Sequence, residues 1–295
     1  MSKCKRCNNS SVVSGYCKTH FIEYFENTVK NTIKCFNLIN KNDKVMVGVS
    51  GGKDSLATLF TLKKLGYDVT GLCIDEGIKG YRPNTIIDLE NFCKKQDISF
   101  KIISFEKEFG LSLDKAVKKL NQNACHICGV FRRFLLNKYS KEYNVLATGH
   151  NLDDESQAIM MNLFKAQSEL LARLGPISGV KTHAGFTRRI KPLYFLKEKE
   201  VKAYTILQGF EIGFHECPYT HTSFRSSVQE ELNNYEITNP GTKLNIVNHF
   251  LSKKKNIELL FANENHANIC KNCGEVASKD NCRTCQIINE IKSKI

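Results

Sequence analysis

The sequence predicts an α/β protein, a doubly wound parallel sheet with a small zinc module at each terminus. Three observations carry this. Short apolar, β-branched runs alternate with helical patterns through the middle of the chain. One of those runs passes directly into a glycine-rich turn and then a helix, between Lys44 and Leu65. Cysteines cluster in double pairs at both ends, Cys4-x2-Cys7 with Cys17-x2-His20 and Cys270-x2-Cys273 with Cys282-x2-Cys285.

The chain has 295 residues, 41% hydrophobic and 25% charged, which suits one large α/β domain with appended modules and argues against disorder. No run approaches the roughly 20 apolar residues of a membrane-spanning helix. The opening MSKCKRCNNS lacks the apolar core of a secretory signal, so a cytoplasmic setting without membrane contact is expected. Lys plus Arg number 43 against 30 Asp plus Glu, a formal charge of +13 that suits a polyanionic partner such as nucleic acid. Thirteen cysteines without an export signal point to metal rather than disulfides.

Taken in order, Cys4, Cys7, Cys17 and His20 have the spacing of one tetrahedral zinc site, in an N-terminal module over 1–24. A helix is expected from about Phe21 to Ile39. Lys44–Val49 reads as a buried parallel strand bounded by Asn42 and Asp43. Ser50, Gly51, Gly52, Lys53, Asp54 and Ser55 follow, then a helix from Leu56 to Leu65. Strand, glycine turn and helix N-terminus make a phosphate cradle, to which Lys53 can add a point charge.

This is not the GxxxxGKS/T loop. It matches SGGxDS, and on those residues the chain is identified as a member of the PP-loop ATP pyrophosphatases. That resemblance implies ATP binding and cleavage between the α and β phosphates, with adenylation of a substrate oxygen. Tyr67–Asp75 and Ser99–Ser104 read as further strands around a helix over Pro83–Lys95. Another strand, Val145–Thr148, runs into Gly149-His150-Asn151-Leu152-Asp153-Asp154-Glu155. The nucleotide belongs at the carboxyl ends of these strands. Ile74 is placed to meet adenine, and Gly149 to let backbone approach the nucleotide. Asp153 and Asp154 open a helix, either to hold Mg²⁺ or to cap it. The PP-loop domain is expected over 25–262. Cys270, Cys273, Cys282 and Cys285 form a second closed zinc site in a ribbon over 263–295, each module folding only with its metal.

Cys125 and Cys128 lie just before a helix expected over Gly129–Tyr143, and Cys217 stands far downstream. Three thiolates can hold a 4Fe–4S cluster with one iron open to a small ligand. With His126, His215 or His221 they could hold zinc instead, and a redox pair with a spectator cysteine is the third reading. Cys35, Cys73 and Cys93 read as small core residues.

The PP-loop core, the CxxC pair, the later lone cysteine and zinc modules at both ends together resemble the TtcA/TtuA family of tRNA 2-thiouridine synthetases, TtuA-type. Gly129–Arg133, Ala147–Glu155 and Asn239–Lys243 also look like that family. The resemblance implies that Cys125, Cys128 and Cys217 ligate the cluster. It implies that Ser50, Asp54, Ile74 and Gly149 contact ATP and that Asp154 is an active-site carboxylate. Arg132 falls where some members carry a catalytic Lys; Arg keeps the charge but does not give up a proton, so a phosphate or adenylate role is expected. The implied reaction adenylates a uridine C2 oxygen and replaces it with sulfur from a ubiquitin-like carrier protein or free sulfide. A homodimer is implied as well.

For the tRNA partner, Arg132-Arg133, Arg188-Arg189-Ile190-Lys191, Lys197–Lys202 and Lys253–Lys255 supply charge, with Phe131, Phe134, Phe186, Tyr194 and Phe195 interleaved. Arg188 and Arg189, in an expected loop, are the preferred candidates. Two other classes compete: a PP-loop ligase or amidating enzyme with structural zinc only, and a zinc-ribbon RNA-binding protein.

Overall fold

Apolar runs with no polar alternation make strands buried on both faces, and these set the frame. A computed structural model describes residues 2–178, 186–213, 215–219, 224–261, 268–277 and 279–293. The first half runs α1 (Lys18–Cys35), β1 (Lys44–Val49), α2 (Lys53–Lys64), β2 (Asp68–Asp75), α3 (Arg82–Gln96) and β3 (Phe100–Ser104). Then come α4 (Phe105–Phe109), α5 (Leu113–Leu120), α6 (Ala124–Tyr139), β4 (Val145–Thr148), α7 (Leu152–Phe164) and α8 (Ser168–Leu171). The remainder is β5 (Ile177–Ser178), β6 (Arg188–Ile190), α9 (Glu198–Leu207), α10 (Phe224–Thr238), α11 (Thr242–Leu260), β7 (Asn268–Ile269), β8 (Val276–Ala277) and α12 (Arg283–Lys292).

The main sheet has the order β3-β2-β1-β4-β6-β5. All neighbours are parallel except β5, which runs antiparallel on the edge. From β1 the chain winds one way through β2 and β3, then reverses through β4 and β6. The crevice at the carboxyl ends of β1 and β4 is therefore the topological switch point.

Alternate residues feed the two faces. Val45, Val47 and Val49 of β1 join α1, α2 and α9 in one core, while Met46 joins α5 and α6 in the other. In α1, Phe21, Phe25, Val29 and Ile33 recur every fourth residue and are all buried. That helix starts inside the N-terminal cysteine module and ends at Cys35, because Asn37 turns left-handed at φ 49°. At the other terminus α12 packs Ile287 and Ile291 into the second core. The two terminal modules are thus rooted on opposite faces of the sheet.

Three expectations change. α6 begins at Ala124, capped by the Asn123 side chain, so Cys125 lies in its first turn and Cys128 opens its second, rather than both preceding it. Arg188 and Arg189 belong to strand β6, not a loop, because their backbone completes the sheet beside β4. Cys73 and Cys93 are buried, but Cys35 ends α1 on the outside and is exposed.

Candidate active site and metal centres

The nucleotide loop is held by backbone geometry. Gly51 has φ 83°, and a Cβ there would sit 2.2 Å from the Thr85 carbonyl oxygen. Ser55 Oγ accepts the Ser50 N–H at 3.1 Å and donates to the Gly52 carbonyl at 2.9 Å, closing the loop on itself. A Cβ on Gly149 would come within 2.7 Å of the Asp54 backbone, so this glycine lets the loop after β4 lie directly on the nucleotide loop.

A cavity of about 260 Å³ opens at the switch point. Ser50, Asp54, Ser55, Ile74, Arg132, Gly149 and Asp154 all line it. Of the loop residues singled out by sequence, Gly51, Gly52 and Lys53 shape the cradle without lining that cavity. Lys53 Nζ lies 3.0 Å from Asp54 and 2.9 Å from Glu198.

Asp153 does not join this cavity. Its carboxylate is buried, paired with Lys243 and accepting the Glu198 N–H at 2.7 Å. Asp154 completes a capping box with Asn151 at the start of α7, and its other oxygen meets Arg225 at 2.5 Å. Asn151 Nδ2 also donates to Asp54 at 3.0 Å, which ties the two carboxylates to one anchor. Burial raises the pKa of both Asp54 and Asp154 above the ordinary value, against the pull of Lys53 and Arg225 respectively. Two carboxylates beside a phosphate cradle have the chemistry of a Mg²⁺ site. His150 is exposed, and crowding by the protein and the charges of Lys191, Arg225, Arg132 and Arg189 lower its pKa. It is neutral at physiological pH.

A second cavity of about 620 Å³ adjoins the first and is lined by Cys125, Cys128 and Cys217. Ser50, Arg132 and Arg225 line both. Cys125 Sγ reaches the Tyr219 carbonyl at 3.5 Å, and the Tyr219 backbone also hydrogen-bonds Cys217. Burial, then the Glu76 charge, pushes Cys128 up to about 12, so it needs a cationic centre to become a thiolate. Among the described residues the zinc alternative finds no fourth ligand: His126 is exposed outside the cavity, and His215 lies 3.3 Å from Asp88. His221 lies outside the described residues.

The walls of these cavities share a buried charge relay. Arg82, with 2% of its surface exposed, meets Glu76 at 2.9 Å and donates to the Ser50 carbonyl at 2.9 Å. The other Glu76 oxygen is 3.3 Å from Arg132, which hydrogen-bonds Cys128. The nucleotide loop and the thiol cavity are therefore joined through Arg82, Glu76 and Arg132.

The terminal centres differ in kind. Among the described residues, these two quartets are the groups whose ligand atoms all lie within 4.8 Å of one another: Cys4, Cys7, Cys17 and His20, and Cys270, Cys273, Cys282 and Cys285. The Cys7–Cys17 and Cys273–Cys282 sulfurs are 3.7 Å apart. A tetrahedron with Zn–S bonds of about 2.3 Å has an edge of about 3.8 Å. His20 Nδ1 lies 3.4 Å from both Cys4 and Cys17. Burial raises the Cys4 thiol, but N–H donors at Cys17 and Arg6 outweigh it and bring it to about 6. Cys270 likewise comes to about 6, with Cys282 and Cys273 as the chief donors. Both quartets have the spacing of a zinc site, whereas the three thiols of the cavity do not close to such a group.

A PP-loop domain model matches residues 18–234. The chain is 35% identical to the tRNA-5-methyluridine(54) 2-sulfurtransferase of Pyrococcus horikoshii, over 96% of this chain and 93% of that one. It is 31% identical to cytoplasmic tRNA 2-thiolation protein 1 of Laccaria bicolor, over 94% and 80%. The structure superposes on the U34-tRNA thiolase NcsA of Methanococcus maripaludis, solved with its 4Fe–4S cluster, with a TM-score of 0.81 and 36% identity over 97% and 96% of the two chains. The chain belongs to the PP-loop tRNA 2-thiolation sulfurtransferases.

Within this family's frame, the RNA-facing candidates divide. Arg188 donates to the Asn37 and Leu38 carbonyls at 3.0 and 2.7 Å and so fastens β6 to the end of α1. Tyr194 and Phe131 are core, Lys191 is buried against Glu155 at 2.6 Å, and Lys254 lies along α11 against the Leu174 carbonyl. Arg133, Arg189, Phe134 and Phe186 line one further crevice. Sequence reasoning missed Arg225, Glu76 and Arg82. The signal for Glu76 was a carboxylate directly after a strand end; Arg225 carried none, since α7 and α10 meet only in the fold.

Proposed function

We propose that this sulfurtransferase replaces oxygen by sulfur at C2 of a tRNA uridine in an ATP-dependent reaction. One observation carries the reading: the nucleotide cavity and the three-thiol cavity adjoin and share Ser50, Arg132 and Arg225. A uridine reaching their junction meets the nucleotide's α-phosphorus on one side and the thiol cavity on the other. The uridine C2 oxygen attacks that phosphorus and pyrophosphate leaves. Sulfur then adds at C2 and AMP departs with the former uridine oxygen, without net redox change.

The chain's own residues divide the work. The Ser50–Ser55 loop and the start of α2 cradle the phosphates, with Lys53 adding charge beside Asp54. Ile74 faces the base, and Gly149 presses its loop onto the cradle. Asp54 and Asp154 would hold Mg²⁺, which supplies charge for the phosphates. Arg132 and Arg225 neutralise charge on the adenylate; neither gives up a proton. Cys125, Cys128 and Cys217 would hold a 4Fe–4S cluster, which supplies an iron with an open position for sulfide. Zinc in the quartets folds the modules proposed over 1–24 and 263–295, around a PP-loop domain over 25–262.

We take the sulfur donor to be a ubiquitin-like carrier protein or free sulfide, the assembly to be a homodimer and the setting to be cytoplasmic. The Laccaria relative is named as cytoplasmic, and no helix among the described residues is long and apolar enough to cross a membrane. Nucleoside mass spectrometry of tRNA from a strain lacking the gene tests the reaction. A 2-thiouridine derivative should vanish and return on complementation, and its position in the tRNA identifies the target. Unchanged thionucleosides would leave the ligase reading standing.

A further inference from the structure

Helix α6 serves two chambers. Arg132 faces the reaction cavities, and the next residue, Arg133, turns by about 100° to face a separate crevice. That crevice, about 280 Å³, lies between α6, β6 and the start of α12. Three guanidiniums line it from three separate segments: Arg133, Arg189 and Arg283. Arg189 donates to the Arg133 carbonyl at 3.3 Å, and Arg283 to Gln286 at 3.2 Å. Arg133 folds back over Gly129, where a Cβ would approach its Nη1 to 3.2 Å. Among the described residues no carboxylate forms an ion pair with any of the three. Glu275, also on the wall, is engaged by Lys141 at 2.6 Å through Oε1, while its buried Oε2 has no hydrogen-bond partner.

We infer that this crevice is a phosphodiester-binding subsite for the RNA strand whose uridine enters the reaction chamber. The inference rests on the tRNA reading above. Gathering like charges is costly: burial, then Arg133, lowers the Arg189 pKa. A bound anion offsets that cost, and guanidinium forks match phosphate in two-point contacts. α12 adds its positive end, since Arg283 and Thr284 open that ten-residue helix at the crevice wall. Phe134 and Phe186 give the same crevice an apolar wall, which suits the ribose and base attached to a phosphate. The C-terminal module is thereby a structural half of an RNA site, not only a cap on the second core.

The test uses the metal-loaded full-length protein and its unmodified tRNA substrate. Arg283→Glu and Arg189→Gln are each assayed for tRNA affinity across a salt series, with zinc content and ATP binding measured in parallel. Each should weaken tRNA binding about tenfold or more at low salt and flatten the salt slope by about 0.7–0.9 per lost phosphate contact, with ATP binding unchanged. Arg283→Glu stands beside a zinc ligand; should it lose zinc, Arg189→Gln decides. Wild-type affinity and slope in a zinc-replete variant overturn the subsite. Loss of binding to an acidic sulfur-carrier protein with tRNA affinity intact also overturns it, and reassigns the crevice to that partner. A wild-type protein that neither binds nor thiolates tRNA sinks the tRNA reading itself.

Discussion

The ends of the chain and its middle use cysteine in opposite ways. Each terminal quartet is drawn from one short segment, with neighbouring sulfurs 3.7 Å apart, all four positions filled by protein. The middle trio joins the first two turns of α6 to a residue far downstream, and its sulfurs line a chamber of about 620 Å³ that opens onto the nucleotide cavity. A closed tetrahedron leaves its metal no room for substrate; a three-sided site on a cavity wall does. On the function proposed above, local spacing makes staples and tertiary assembly makes the reactive centre.

The strongest way to break this contrast is Cys217→Ala. It removes the one thiol that the fold, rather than local spacing, brings to the trio. Iron should be lost and thiolation should fall by more than the roughly 10–100-fold typical of changes to a metal's outer shell. Zinc at both ends and ATP binding should remain. Metal analysis beside a single-turnover thiolation assay reads all of this. Thiolation surviving in the iron-free variant would show that the middle trio is another staple.

Cys285→Ser asks the converse and should act mainly on stability. Losing this ligand opens the quartet at the base of α12. If the helix undocks, Ile287 and Ile291 leave the second core. Their burial contributes at most about 3–6 kcal/mol together. One zinc should be lost and the melting temperature should drop, while the iron content holds. Loss of iron in that variant would mean that the ends and the middle are one cooperative unit.

The same contrast explains what the sequence disclosed. β1 and β4 have the bounds expected from their apolar runs, and the SGGxDS motif runs from the end of β1 into the first turn of α2, which starts at Lys53 rather than Leu56. These features are encoded locally, and both quartets were legible for the same reason. The start of α6 was missed because a CxxC run has no apolar period; only Asn123 marks its cap. β6 carries two arginines in three residues and reads as loop, yet it pairs with β4 through backbone that no side-chain pattern reports. Arg82 is the extreme case. A buried arginine is credible only once Glu76, the Ser50 carbonyl and the Ile74 carbonyl are known to surround it.

The smallest expected effect lies in pH and sharpens the comparison at the nucleotide end of the chamber. Burial raises Asp54 and Asp154 above the ordinary 3.8. Between that value and their raised ones, the folded, ligand-free protein holds protons that the unfolded chain has released. Its stability from these groups therefore climbs as pH falls through the folded-state pKa values, and the gain is complete near 3.8. On the proposed role of Asp54 and Asp154 as Mg²⁺ ligands, Mg²⁺–ATP affinity should fall over the same window. One thiol of each terminal quartet runs in the opposite direction. Cys4 and Cys270 sit near 6, below the ordinary thiol value, so their contribution falls as acid protonates them and zinc loosens. Mg²⁺–ATP titrations from pH 7 to about 4.5, on wild type and Asp154→Asn, should show an affinity loss of up to about tenfold in the wild type, shallower in the variant. Identical pH slopes in the two proteins would remove Asp154 from the metal–nucleotide site.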